Sequence, residues 1–509
     1  MTKISAISAC GLVFAALAGG CSSDASDDGG SSGGEDPTTD GGHQPVDGEG
    51  SSGAEADSAD EGTDAADGDT DGGTDTGLPQ GCGEQDICAA PATDLALSFT
   101  VGEGQGMLVA LDDQRVFFVA GESTRQVVGV TDGTAVGTTV LYRDAAPWPV
   151  DGVEYDGRVI ARWDRDRLGN AFYAVDPDSG AATALTPLGS EPLRSFVGSD
   201  GLVLRTEDAV YTSDGTPAGT QILFATSPED VDFQTGDLCG FGSRAALFVL
   251  DETNDNVALY TSTGAGPAEL LGSLPTSGSF APLCTHTTTM QDGSFWFYRQ
   301  VGAQREIWSA AVGQPPMAVF APAVLQGGNE TPTDFAGSGP SLFFRYRPAG
   351  ESGFRLFRTD GTERGTSQVW SPTNAGDTVI GSGGAALARP TNVLSDGDTG
   401  VWFRATHPRS GLAVLWHHNG DFAAPVETGL SADSPSASQY NGSAPMAVFE
   451  QRLYAGGSPH TVEIEDTEMR RFGLLGTDGT RSDGLNFFAK SGVRVWLGMV
   501  DGLYYSDRP

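Results

Sequence analysis

Lysine is all but missing from this chain. Lys3 and Lys490 are the only two, so the 28 basic residues are nearly all arginine, and they stand against 68 carboxylates. A net charge of −40 excludes a nucleic-acid partner, whose phosphates demand a basic patch. It also argues against adsorption onto anionic lipid headgroups. Long apolar runs are missing too: the one at 4–17 falls short of the roughly 20 residues that a membrane-spanning helix needs. Amphipathic helical periodicity is absent beyond residue 80, which leaves an all-β class. No His-Glu-x-x-His occurs, so the commonest zinc-hydrolase signature is excluded.

The N-terminus reads as an export signal. Lys3 supplies a charged start, 4–17 an apolar core, and Ala18-Gly19-Gly20-Cys21 resembles the processing site of bacterial lipoproteins. Residues 1–20 are therefore expected to be removed, with Cys21 acylated in the outer membrane and serving as the membrane contact. Residues 21–80 are Ser, Gly, Asp, Thr and Glu, with 17 carboxylates and no Lys or Arg between 22 and 80. Such a stretch cannot bury enough apolar surface to offset its ordering entropy, so it is expected to be a disordered tether extended by self-repulsion.

What the rest of the chain has is a repeat. Thr131-Asp132-Gly133-Thr134 opens a Thr-Asp-Gly-Thr-x-x-Gly-Thr unit that returns at Asp360-Gly361 and, with Ser213 in place of the first Thr, at Asp214-Gly215, with a decayed copy at Asp478-Gly479. Asp-Gly between two apolar runs signals a tight hairpin, because Gly supplies positive φ without a Cβ clash. An apolar or aromatic pair anchors each unit: Val128-Gly129, Phe172-Tyr173, Val210-Tyr211, Leu259-Tyr260, Ile307-Trp308, Leu356-Phe357, Leu415-Trp416, Leu474-Leu475 and Leu503-Tyr504. Most steps between anchors fall near the ~40–50 residues of a four-stranded propeller blade. The last step, from Leu474 to Leu503, is only 29. Upstream of each anchor lies an apolar run such as Ser341-Leu-Phe-Phe-Arg345 or Val401-Trp-Phe-Arg404, which reads as a buried strand.

These residues resemble the secreted bacterial repeat written Glu-Leu-Trp-x-Thr-Asp-Gly-Thr-x-x-Gly-Thr, found in myxobacterial-type surface lipoproteins. The resemblance spans about 100–509 and implies a propeller-like domain without catalytic residues. The expected architecture is a lead-in over 81–94 and a single β-propeller over 95–509. Eight blades are favoured, with seven or nine as the neighbouring counts. Closure is expected by pairing of 95–101 with 493–505.

Several motifs look chemical. Asp67-Gly68-Asp69-Thr70-Asp71-Gly72 matches the start of a Ca²⁺ loop, but its twelfth position is Leu78 instead of a bidentate Glu. Ca²⁺ is the one cofactor to consider, and the expectation is none; Asp164, Asp166, Asp176 and Asp178 read as turn residues. Gly29-Gly30-Ser31-Ser32-Gly33 fits a nucleophile elbow but lies in the tether with no flanking strand or helix. His417 and His418 point to opposite faces of a strand and cannot easily share one metal. An even cysteine count after processing suggests disulfides Cys82–Cys88 and Cys239–Cys284. The functional expectation is a noncatalytic, monomeric surface lipoprotein offering a binding platform to protein or glycan. The rival is an extracellular lyase or hydrolase acting on carbohydrate through channel carboxylates, and a third reading is a purely structural envelope protein.

Overall fold

The computed structural model describes residues 87–507 apart from short gaps and the connections at 99–105, 226–237, 276–283, 371–390, 407–412, 432–445 and 475–484. Residues 1–20 expected to be a signal, Cys21, the expected tether 21–80, Cys82 and the Asp478-Gly479 copy therefore lie outside the described residues, as do the Ca²⁺-like stretch 67–72 and the side chain of Cys88. Strands and two short 3-10 turns make up the described secondary structure, with no α-helix among them and so no helix long and apolar enough to cross a membrane.

The strands group into meanders in which consecutive strands pair antiparallel. Seven such sheets span 97–144, 149–184, 192–225, 238–275, 287–320, 333–370 and 391–431, here blades 1 to 7. Blade 8 is 446–474, and blade 9 is 485–507 completed by Ile87–Pro91. The first strand of each blade lies beside the first strand of the next from blade 1 to blade 8, and blade 9 returns to blade 1. The chain is a β-propeller.

Its core is divided among the seams between blades. In the second strand of blade 1, Phe117 and Val119 pack on blade 2 while Phe118 and Ala120 pack on blade 9, all at 0% exposure. A strand covered on both faces needs a continuous apolar run, which is why these segments do not alternate with polar residues. Nine apolar clusters fill nine seams in succession, the last joining Trp496 and Leu503 to Phe118.

The described residues thus form nine blades, one of the counts left open beside eight. Leu474 misleads because it sits on the outermost strand of blade 8, Glu468–Leu474. The other anchor pairs lie on third strands, and the third strand of blade 8 is Val462–Glu465. Leu415, Val462 and Leu503 are 47 and 41 residues apart, which restores the blade period.

Closure uses an earlier segment than 95–101. Ala90 lies opposite Tyr505 and Pro91 opposite Tyr504, and the Ala92 N–H donates to Leu503 O at 2.8 Å. The same strand runs parallel to Glu468–Leu474, so it ties the rims of blades 8 and 9 together. Leu97 is 2% exposed in the seam between blades 9 and 1, which leaves the rim slot to the residues before it.

Outermost strands carry a repeated irregularity. In blades 1, 3, 4, 5 and 6 the register shifts at the anchor pair, leaving Leu141, Leu223, Leu271, Val319 and Val369 as extra residues. A bulge twists an open edge away from pairing with another chain. The Cys239–Cys284 disulfide joins the first strand of blade 4, Leu238–Phe241, to the turn Cys284–His286 that leads into blade 5.

Candidate functional site

Because turns in a meander alternate ends, the propeller has two unlike faces. One carries the first-to-second and third-to-fourth turns (the turn face). The other carries the second-to-third turns and the blade-to-blade connections (the connection face).

The Thr-Asp-Gly-Thr units are third-to-fourth turns and lie on the turn face. In all three described copies the Asp carboxylate accepts from the Thr two residues on, through both N–H (2.9 Å) and hydroxyl (2.7 Å). That hydroxyl in turn accepts the N–H of the second Gly. The flanking Thr131 and Thr138 hydroxyls meet at 2.8 Å, as do Thr359 and Thr366. Gly133, Gly215 and Gly361 have φ of 86°, 80° and 88°. A Cβ on the second glycine would strike the carboxylate, at 1.9 Å from Asp360 Oδ1 in the case of Gly365. Hydrogen bonds from the Thr side chains lower the pKa of Asp132 and Asp214. Arg158 and Arg494, each at the start of a second strand in the preceding blade, donate to Gly215 O and Asp132 O. The repeat is a self-satisfied turn pinned by its neighbour, with no ligand in its hydrogen-bond scheme.

Where blade 6 meets blade 7, a serine of blade 6 comes together with a carboxylate and a histidine of blade 7 on the same face. His417 Nε2 lies 3.0 Å from Asp396 Oδ2, and the ring stacks on Trp402 with centroids 4.1 Å apart. Ser338 Oγ donates to Asp396 Oδ1 at 3.4 Å and accepts from Ser395 at 2.9 Å. Burial pushes the Asp396 pKa up, but His417 and the N–H groups of Asp398 and Gly400 outweigh it and hold the carboxyl below its usual value. Here the carboxylate stands between serine and histidine, so the imidazole cannot take the serine proton as a triad requires. His418 faces the other way, buried against Phe343.

The connection face is different in kind. Blades 2, 3, 6 and 7 place an arginine (Arg162, Arg205, Arg345, Arg404) on the second strand, opposite a bulge in the innermost strand. Arg162 Nη1 reaches Leu193 O of the next blade at 3.1 Å, and Arg404 Nε reaches Met446 Sδ of the next blade at 3.0 Å. Blade 6 departs from this pattern. Its bulge contains Asp334 at φ 54°, and the carboxylate takes Arg345 Nε at 2.8 Å within the same blade. Burial pushes the Asp334 carboxyl above its usual range and outweighs the opposing pull of Arg345 and of the Thr333 hydroxyl. Arg345 and Arg347 both lie over the Phe354 ring, at 4.9 and 5.5 Å from its centre.

The adjoining seam between blades 5 and 6 holds Arg305 among tyrosines. Its Nη1 donates to Leu325 O at 3.1 Å and to the Tyr346 hydroxyl at 3.4 Å. Gln326 clasps the Arg305 backbone, donating from Nε2 to its carbonyl at 2.8 Å. Burial raises the pKa of Tyr298 and Tyr346, so both hydroxyls stay protonated and can donate. His286, edge-on to Tyr298, is driven down to about 4 by burial and is neutral at pH 7.

Around the connection ends of blades 5 to 7 the described residues include Arg305, Arg345, Arg347, Arg355 and Arg404 against Glu306, Asp334 and Glu351, while Arg299 is buried over Trp308. That is a local surplus of cations in a chain where carboxylates outnumber bases 68 to 28. Sequence reasoning named the turn residues and passed over these arginines. The signal was nevertheless there: three apolar residues then Arg, at Val159–Arg162, Leu202–Arg205, Leu342–Arg345 and Val401–Arg404. No group of three or more His, Cys, Asp or Glu that could hold a metal occurs among the described residues.

No family model matches the chain, and no curated protein does. Among solved structures it is similar to the tricorn protease, at 9% identity and TM-score 0.33, covering 79% of this chain and 42% of that one. It is also similar to an oligogalacturonate lyase in complex with manganese, at 12% identity and TM-score 0.35, covering 69% and 85%. A prolyl endopeptidase matches at 12% identity and TM-score 0.41, covering 72% of this chain and 54% of its own.

Proposed function

We propose that this chain is a noncatalytic binding protein that presents the connection face of its propeller to a protein or glycan. A lipid on Cys21 would hold it at the outer membrane, and the acidic stretch 21–80 would space the folded domain from the surface. The repeat resemblance to myxobacterial-type surface lipoproteins agrees with that setting. The observation that carries the binding reading is the arginine surplus over blades 5 to 7. In a strongly acidic molecule such a patch focuses the field toward anionic groups of a ligand. Full-length protein should bind members of an array of acidic and neutral polysaccharides and surface-protein extracts. Arg347→Glu should abolish that binding, while Glu363→Lys on the turn face should leave it intact. The reverse pattern would refute the choice of face. Cys21→Ser should move the protein from membranes to the soluble fraction, and unchanged partitioning would remove the anchor.

One observation favours an extracellular carbohydrate-active lyase or hydrolase as the second reading. Asp334 is a carboxyl with a raised pKa on an innermost strand, the condition for a general acid. Turnover of an oligosaccharide that Asp334→Asn abolishes would establish it.

A further inference from the structure

We propose that the Asn419-Gly420 turn of blade 7 is a self-modifying site, in which His418 is the base that lets Asn419 close into a succinimide and open again as an aspartyl or isoaspartyl linkage. Asn419 directly follows the third strand of blade 7, Ala413–His418, and stands where blades 1, 3 and 6 carry the Asp of the repeat turn.

One hydrogen bond recurs in this turn in five blades. The N–H of Gly133, Gly215, Gly264 and Gly361 donates to a hydroxyl two residues back, on Thr131, Ser213, Ser262 and Thr359. The Gly420 N–H donates over the same span, at 3.0 Å, to His418 Nδ1. Gly420 also keeps the left-handed backbone of the series, with φ of 83° against 86°, 80°, 94° and 88° in the others. Blade 7 thus retains the turn and changes two groups within it. The hydroxyl acceptor becomes an imidazole, and the residue before the glycine, Asp in the three repeat copies, becomes Asn.

Those two groups are the ones that cyclisation of an Asn-Gly pair needs. Gly420 N is the nucleophile and Asn419 Cγ the electrophile, and the nitrogen attacks only as its proton leaves. A hydroxyl bound to that N–H is too weak a base to take the proton, whereas the electron pair of an imidazole nitrogen can. Thr399 Oγ1 donates at 3.0 Å to Asn419 O, the carbonyl of the same peptide unit, and so stabilises the negative charge that builds there as the proton departs. Glycine leaves the nitrogen without a neighbouring Cβ in its path. Asn419 is exposed, so water reaches the imide once it forms. His418 is fixed in place, 1% exposed and edge-on to Phe343 of blade 6. The ionisable groups beside it, His417 and Asp396, pair with each other at 3.0 Å.

The Gly420 proton passes to His418 Nδ1 while a new N–Cγ bond closes the ring. The bond from Cγ to the side-chain nitrogen then breaks, and that nitrogen leaves as ammonia, taking the proton back from the imidazolium. Water opens the imide at one of its two carbonyls; no electrons are transferred and water is the sole co-reactant. Opening at Cγ restores the Asp-Gly of the other blades. Opening at the backbone carbonyl routes the chain through the side chain and adds a methylene beside Thr399, whose O would lie 2.3 Å from a Cβ on Gly420.

Peptide mapping by mass spectrometry, after holding the full-length chain at neutral pH in water enriched in heavy oxygen, tests the site. Position 419 should lose its amide nitrogen and gain one heavy oxygen at least about tenfold faster than in a free peptide of residues 415–423, which has the same residues without the turn. His418→Thr restores the hydroxyl of the other blades and should slow conversion at least about tenfold. A pH profile of the parent needs no variant: hydroxide-driven cyclisation accelerates about tenfold per pH unit, whereas here the rate should level off once the imidazole is neutral. A rate no higher than that of the free peptide, a rate unchanged in His418→Thr, or a rise with pH that never levels off would each overturn the proposal.

Discussion

Single residues in this propeller are constrained by atoms far closer than their sequence neighbours suggest. The second glycine of each repeat turn is required by the Asp carboxylate folded over it, whereas the first is required by its φ and, at Gly133 and Gly361, also by side chains of the adjoining blade. Gly361→Ala should cost roughly 1–2 kcal/mol through left-handed strain, to which the approach of its Cβ to Val319 at 2.9 Å and Trp296 at 3.0 Å on the preceding blade adds. Gly365→Ala should cost more, because its Cβ would lie 1.9 Å from Asp360 Oδ1. In an Asp360→Ala background that excess should vanish, a coupling that urea melts of the four variants would reveal. Equal costs in both backgrounds would contradict the close approach. His286 makes a second prediction. Its pKa falls from 6.5 to about 4 in the folded state, so between those values the unfolded chain binds the proton that the folded chain refuses. Stability should therefore drop as pH falls from about 6.5 to about 4, by roughly 3 kcal/mol. His286→Phe should flatten that part of the profile in thermal melts, and an unchanged slope would assign it elsewhere.

Elements are held by a few non-local ties. Cys239 and Cys284 are separated by 45 residues, and closing a loop of that length stabilises by about 4 kcal/mol on the chain-entropy argument. The double Cys→Ser variant should lose a comparable amount, and the parent should show the same loss under reductant. The strand Ile87–Pro91 is the other tie. A chain beginning at Ala92 leaves blade 9 with three strands and uncouples it from blade 8. Limited proteolysis should then cut within 485–507 first, and a digestion pattern unchanged from the parent would refute that role.

The strands themselves were legible because their signal is local. Runs such as Val116–Ala120 are apolar at consecutive positions because both faces of the sheet are covered, and Asp-Gly marks the reversals. The blade count was less legible, since Leu474 imitates an anchor while lying on a fourth strand. Closure by 87–91 could not be read at all: Ile-Cys-Ala-Ala-Pro carries no strong strand pattern and is recruited by the vacant rim of the last blade.

At the scale of the whole molecule the governing quantity is charge. Residues 81–509 carry 51 carboxylates against 27 bases, a net −24 that repels itself when compact, so raising NaCl from about 20 mM to about 300 mM should raise Tm by several degrees as screening shortens to within a blade's width. A flat or falling Tm would mean that opposed pairs such as Arg115–Asp178 and Arg143–Glu122 outweigh the repulsion.

By itself the sequence determined the class of fold, the period of its units and the chemistry of its turns, because each depends on residues within a few positions of one another. Which blade completes the ring, which end of the strands gathers the arginines, and that Asp334 intercepts Arg345 were decided only by the tertiary structure. Those facts depend on residues brought together from different turns of the ring, and spacing along the chain does not encode which faces meet.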